Sequence, residues 1–234
     1  MSRVYSFTGQ QTLKTLQDAV NYSRYQHGFI AKSIGQLVKK KNIKVLDFGA
    51  GIGTYSDMLR SDKRLVIECI EPDDIQAKIL HIKGYRVYPD INACNERYDI
   101  IFALNVFEHI KDDVAMLVAL KAHLNEGGRI IIYVPAFQLL FTQLDVLVDH
   151  YRRYRINSMK SLAQKSGLHL LSVQYCDPIG FVAALIYRLC RGNGHLNPRH
   201  VRVYDKYLFP ISVRVESLTQ GIFGKNVLGV YTVE

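Results

Sequence analysis

Residues 45–53 read VLDFGAGIG: Val45, Leu46, Asp47 and Phe48 run directly into Gly49, Ala50, Gly51, Ile52 and Gly53. A continuous apolar stretch from Ile43 to Phe48 is what a central parallel strand needs, because helices cover both of its faces. Glycines at alternate positions then let the backbone turn sharply, pass close beneath a ligand and start a helix at once. Such a turn alone is a weak sign of function, since loops use glycine for turning as well. Its company decides. Glu71, twenty residues after Gly51, closes the next predicted strand, 65–70, where a carboxylate can accept hydrogen bonds from both hydroxyls of a ribose. In a dinucleotide fingerprint the third glycine would fall at position 54, which is Thr54. A cofactor without a pyrophosphate therefore fits better than a nicotinamide dinucleotide.

Outward from this stretch the pattern alternates. Leu13, Leu16, Val20, Phe29, Ile30, Ile34 and Leu37 predict a helix over 12–38, with Lys39 to Lys41 suited to its C-terminal end. Downstream, the spacing predicts a helix over 73–81, strands over 85–88 and 98–104, a helix over 112–124 that Gly127 and Gly128 stop, and a strand over 129–134. Strands separated by helices imply right-handed crossovers, hence a doubly wound α/β sheet that is mostly parallel. Beyond Pro135 helices are expected over 138–148 and 158–166 and strands over 168–175 and 226–233. An insertion at 178–222 holds two apolar stretches around the loop-like Arg191 to Pro198. The whole of 1–234 reads as one domain: a helical segment 1–42, a cofactor-binding core 43–135 and substrate-side elements 136–234.

Four blocks in this order, VLDFGAGIG (45–53), EPD (71–73), NVFEHI (105–110) and LNEGGRIIIYVP (124–135), resemble the class I S-adenosylmethionine-dependent methyltransferases. The resemblance covers nearly the whole chain. It implies a seven-stranded Rossmann-like sheet with the helical insertion before the last strand, S-adenosyl-L-methionine as cofactor and S-adenosyl-L-homocysteine as product. Gly49, Gly51 and Gly53, with Ala50, would lie against the methionine portion, with Asp47 near its amino group. Glu71 and Pro72 would hold the ribose, Asp90 and Ile91 would approach the adenine, and Asn105 and Val106 would line the pocket. Tyr25 would close it from the N-terminal helix.

A narrower resemblance lies in 134–154, which is similar to a subgroup of uncharacterised methyltransferases with a D-x-x-x-G-H-x-R-R-Y motif. Asp145, His150, Arg152, Arg153 and Tyr154 match it, and Asp149 stands where the subgroup has glycine. The subgroup's association with surface or lipid-linked glycans implies a small-molecule or lipid-linked acceptor. For a hydroxyl acceptor His150, Asp145 and His109 are the candidate bases, His150 foremost. Arg152 and Arg153 could clamp a phosphate or carboxylate, or else pair with Asp145 or Asp149 to hold their own loop.

Net charge is +9, with Lys and Arg against Asp and Glu standing at 18 to 17 through residue 149 and 12 to 4 beyond it. A basic C-terminal third suits phosphate, nucleic acid or an anionic membrane face. RNA methylation is thus an alternative, though no RNA-binding module is appended and NVFE replaces the NPPY-like motif of base amino methylation. A cofactor-binding homologue without turnover is another. Tyr207, Leu208, Ile211, Val215 and Leu218 make 178–222 an amphipathic lid, a dimer surface or a peripheral membrane contact. Cys69, Cys94, Cys176 and Cys190 are scattered without a C-x-x-C pair or nearby histidine ligands, so neither a disulfide framework nor a zinc site is indicated and no metal is expected. With no apolar leader in the first ten residues and no run long enough to span a bilayer, the expected location is cytoplasmic, with peripheral contact at the inner face of a membrane left open.

Overall fold

The computed structural model describes residues 19–37, 40–190, 197–219 and 221–233. Seven strands, β1 (Ile43–Phe48), β2 (Leu65–Ile70), β3 (Arg86–Tyr88), β4 (Tyr98–Leu104), β5 (Leu124–Pro135), β6 (His169–Cys176) and β7 (Asn226–Thr232), form one sheet in the order β3-β2-β1-β4-β5-β7-β6. Only β7 runs against its neighbours, antiparallel to β5 and β6. The order reverses between β1 and β4, so a crevice opens beyond their carboxyl ends, where ligands of doubly wound sheets bind.

Helices α1 (Val20–Gly35), α2 (Thr54–Leu59), α3 (Asp74–Ile82), α4 (Asp113–Ala122), α5 (Gln143–Leu147), α6 (Ile156–Ser166), α7 (Pro178–Leu189), α8 (Pro198–Val203) and α9 (Phe209–Thr219) surround it. Strand alternation divides the core between the faces. Leu46, Ile101, Ile130 and Ile132 pack with Leu117 and Leu120 of α4 and Met159 and Leu162 of α6, while Val45, Ile100, Phe102 and Ile131 pack with Ile30 and Ile34 of α1. All seven residues of β4 are buried, as a central strand covered on both sides requires.

Three expectations change. Of the helix predicted over 12–38, the described part is Val20–Gly35, and Leu13, Leu16 and Lys39 lie outside the described residues. The helix predicted to run to Leu124 ends at Ala122, and Gly127 and Gly128 do not cap it; they lie inside β5. Gly127, at φ +67°, permits the irregularity by which β5 carries extra residues between the pairs Tyr98–Leu124 and Ile100–Arg129. The helix predicted over 138–148 is broken into a 3-10 turn, Gln138–Leu140, and the short α5. Thr142 interrupts it with extended backbone because its N–H donates to Asp145 Oδ2 at 2.8 Å, closing a capping box at the start of α5.

The described parts of the insertion are mostly helical and dock on α1. Pro178 and Pro198 open α7 and α8, positions where proline's missing N–H costs nothing. A five-residue π turn, Tyr204–Leu208, joins α8 to α9. From it Asp205 reaches the start of α1, accepting from the N–H of Asn21 (3.0 Å) and of Tyr22 (2.9 Å). These are orphan donors of a helix whose own N-cap, Ala19, supplies no side-chain acceptor. No helix among the described residues is long and apolar enough to cross a membrane.

Candidate active site

Gly49, Gly51 and Gly53 all take the left-handed conformation, at φ +76°, +58° and +83°. Space enforces glycine at two of them: a Cβ on Gly49 would stand 2.6 Å from Val106 Cγ2, and one on Gly53 2.7 Å from Leu80 Cδ2. Val106 thereby meets the turn from the end of β4, and Asn105 before it is strained to φ +57° with its side chain exposed at the carboxyl edge.

Glu71 bridges the turn to the next helix. Its Oε2 accepts the Gly51 N–H at 2.7 Å and its Oε1 the Asp73 N–H at 3.0 Å. A carboxylate has about four acceptor positions, so each oxygen keeps a lone pair, enough for the two neighbouring hydroxyls of a ribose. Beneath the turn Asp47 is buried and accepts from Ser56 Oγ at 2.7 Å. Burial, only partly offset by that hydrogen bond, pushes its carboxyl up to about 7. A carboxylate held this way gains from a cation such as an amino group. Asp90 caps the 3-10 turn Ile91–Ala93 through Oδ1 and is exposed, while Ile91 beside it is buried. Pro72 is exposed between Glu71 and α3, and Ala50 is buried within the turn. The donors and acceptors around β1 and β2 thus fit an adenosine ligand that carries an ammonium.

Tyr25 faces the insertion. Its hydroxyl donates to Glu216 Oε1 of α9 at 2.5 Å and its ring meets Phe29 and Phe209 edge-on, so it anchors the insertion. The neighbouring Gln26 is the residue that reaches α2, accepting from the Tyr55 hydroxyl.

The residues after β5 form a network. Asp145 accepts from Arg153 through both oxygens (Nε 2.8 Å, Nη2 3.0 Å) and from His150 Nδ1 at 2.8 Å. Burial opposes its ionisation, yet the His150 and Arg153 hydrogen bonds outweigh burial and hold its carboxyl at about 2. Arg152 pairs with Asp113 Oδ2 at 2.9 Å and donates to the Lys111 carbonyl. Tyr154 is buried, its hydroxyl 3.0 Å from the Phe107 carbonyl and 2.9 Å from Asp113 Oδ2. Of the two roles open to Arg152 and Arg153, the structure displays loop-holding pairs, Arg153 with Asp145 and Arg152 with Asp113 of α4, and Tyr154 joins the latter. Asp113, whose role no sequence pattern announced, holds two of them.

This network delivers His150. With Nδ1 directed at Asp145, its Nε2 faces Glu108 Oε1 at 3.9 Å, and its ring stands edge-on to His109 at 4.7 Å between centroids. Burial, reinforced by the neighbouring His150, lowers the His109 ring to about 4. Burial also pushes the Glu108 carboxyl up to about 8, and its Oε2 is buried without a hydrogen-bond partner. Sequence reading passed over Glu108; an acid directly preceding a candidate histidine, on the turn after a central strand, was the available signal.

The profile of a family described as "Methyltransferase domain" matches residues 22–173. The ubiquinone biosynthesis O-methyltransferase of Cereibacter sphaeroides is 30% identical over 100 residues, 39% of this chain; the match spans 40% of that relative's length. Among solved structures, the cyclopropane synthase of Mycobacterium tuberculosis shares the fold at TM-score 0.55 and 16% identity, over 87% of this chain and 82% of that one. So does the phosphoethanolamine N-methyltransferase 2 of Haemonchus contortus in complex with S-adenosyl-L-methionine, at TM-score 0.56 and 16% identity, over 87% and 52%. The match over residues 22–173, which include the glycine turn and Glu71, shows the family: the chain belongs to the methyltransferase-domain family.

Proposed function

We propose that the chain transfers the methyl group of S-adenosyl-L-methionine to an oxygen of a small-molecule or lipid-linked acceptor. The carrying observation is the orientation of His150: Asp145 fixes Nδ1, so that Nε2 faces Glu108, which stands two residues after Val106 at the glycine turn. A sulfonium supplies an electrophilic methyl group, so the protein has mainly to align the acceptor and keep water out. Gly49, Gly51 and Gly53 would support the methionine portion, Asp47 its ammonium, Glu71 and Pro72 the ribose, Asp90 and Ile91 the adenine, and Asn105 and Val106 the wall between cofactor and acceptor. His150 would meet the acceptor hydroxyl, with His109 beside it. The name of the Cereibacter relative supports an oxygen acceptor.

The insertion supports a lipid-linked one. Val203, Tyr207, Ile211 and Leu218 form an exposed apolar row at helical spacing, flanked by exposed Arg199, Arg202, Lys206 and Arg214. The acids of this stretch, Asp205 and Glu216, are buried against α1. A face so composed suits peripheral contact with an anionic bilayer. The test is transfer of labelled methyl to polyprenyl-linked glycans in anionic vesicles, to soluble phenols and to RNA. Label in base-stable ethers of the first or second class supports the reading; label on RNA, or on none, overturns it.

A further inference from the structure

Between the turn after β4 and the loop after α5 a carboxylate and two imidazoles converge. Glu108, His109 and His150 each offer one ligand atom, and these atoms all lie within 4.8 Å of one another. We propose that these three residues bind a divalent transition-metal ion of the zinc type.

Four observations carry this. Two imidazoles and one carboxylate are a set that borderline ions prefer, and three protein ligands leave a position open for water or an acceptor oxygen. Glu108 is 1% exposed, and its Oε2 has no hydrogen-bond partner. A buried carboxylate without a cation is costly, and the nearby guanidinium of Arg153 is already committed to Asp145. His150 donates Nδ1–H to Asp145 at 2.8 Å, the carboxylate–histidine arrangement that fixes a metal-binding tautomer and leaves Nε2 free to coordinate. The His109 ring stands edge-on to His150 at 4.7 Å between centroids, which brings the second imidazole to the same point.

Bond lengths of about 2.0–2.2 Å put the ligand atoms of a tetrahedral ion roughly 3.3–3.5 Å apart. The His150–Glu108 separation is 3.9 Å and the three ligand atoms lie within 4.8 Å of one another, so side-chain rotation must draw them in by up to about 1 Å. The ion would take the place of His150's direct hydroxyl contact; only the identity of the molecule filling the open position rests on the methyltransferase reading above.

The test uses the full chain, stripped with a chelator and titrated with Co2+, a spectroscopic substitute for zinc. One Co2+ per chain with visible d–d absorption is expected, displaced by Zn2+, with affinity falling at least about tenfold in H150A and in E108Q and unchanged in H81A. Zn2+ but not Mg2+ should also raise the wild-type Tm, because binding to the folded state alone stabilises it. This readout serves if a variant fails to fold. No d–d band, a band indifferent to H150A and E108Q, or a Tm insensitive to Zn2+ overturns the site. Calorimetric binding of S-adenosyl-L-methionine to the same samples separates failure of this site from failure of the cofactor assignment.

Discussion

Replacing Arg153 with alanine separates the two roles its sequence motif allowed. Its side chain is 10% exposed and that of Asp145 1%, and the two share a bidentate pair at 2.8 and 3.0 Å. Breaking a buried pair by removing one partner costs about 3–5 kcal/mol, since the remaining charge is stranded. Here the Thr142 N–H and His150 Nδ1 still serve Asp145, which places the expected loss near the lower end, about 3 kcal/mol. In a domain of this size that lowers Tm by roughly 6–12 °C. Arg153→Lys should recover only part of it, because an ammonium cannot reproduce the two-pronged contact. Urea denaturation of the three proteins at neutral pH is the assay. A loss under about 1 kcal/mol combined with abolished methyl transfer would show that the guanidinium serves the substrate and would refute the reasoning.

Asp47 gives a pH dependence. Its carboxyl stands at about 7 in the free protein against 3.8 ordinarily. A raised carboxyl makes the free protein lose stability as pH rises through that window, whereas an ammonium ligand favours the ionised form. Cofactor affinity should therefore strengthen from about pH 6 to 8 with proton release below 7, and Asp47→Asn should flatten the calorimetric profile. Gly51→Val places a β-branched residue at φ +58° with its Cβ 3.2 Å from Gln76 Oε1; cofactor binding should vanish, and unchanged affinity would contradict the assigned cradle. Asp205→Ala removes the acceptor for Asn21 and Tyr22 N–H. It should cost about 1–2 kcal/mol and speed hydrogen exchange at the start of α1, and exchange at the wild-type rate would deny the insertion its anchoring role.

What the sequence disclosed was local. β1, its glycine turn and Glu71 were legible because an apolar run, a left-handed turn and a strand-end acid occupy neighbouring positions whose geometry the chain itself dictates. The break inside 138–148 was also written locally, as Thr142 followed three residues on by Asp145, but the apolar spacing around it masked the capping box. The contacts that give the acceptor side its character were not legible. Asp113 meets Arg152 and Tyr154 from α4, and Asp205 caps α1 from 184 residues away. Such pairings arise only when the sheet brings distant segments together. Arg152 and Arg153 looked equally fit for a phosphate until the fold supplied their carboxylates.

Calorimetric titration of the purified chain with S-adenosyl-L-methionine, S-adenosyl-L-homocysteine and NAD, repeated on Glu71→Ala, tests the central claim most directly. The account expects binding of both sulfur ligands at about micromolar Kd, none of NAD, and a loss of roughly 1–3 kcal/mol or more in the variant as the ribose hydrogen bonds disappear. Silence from both sulfur ligands, or NAD binding that depends on Glu71, would contradict it.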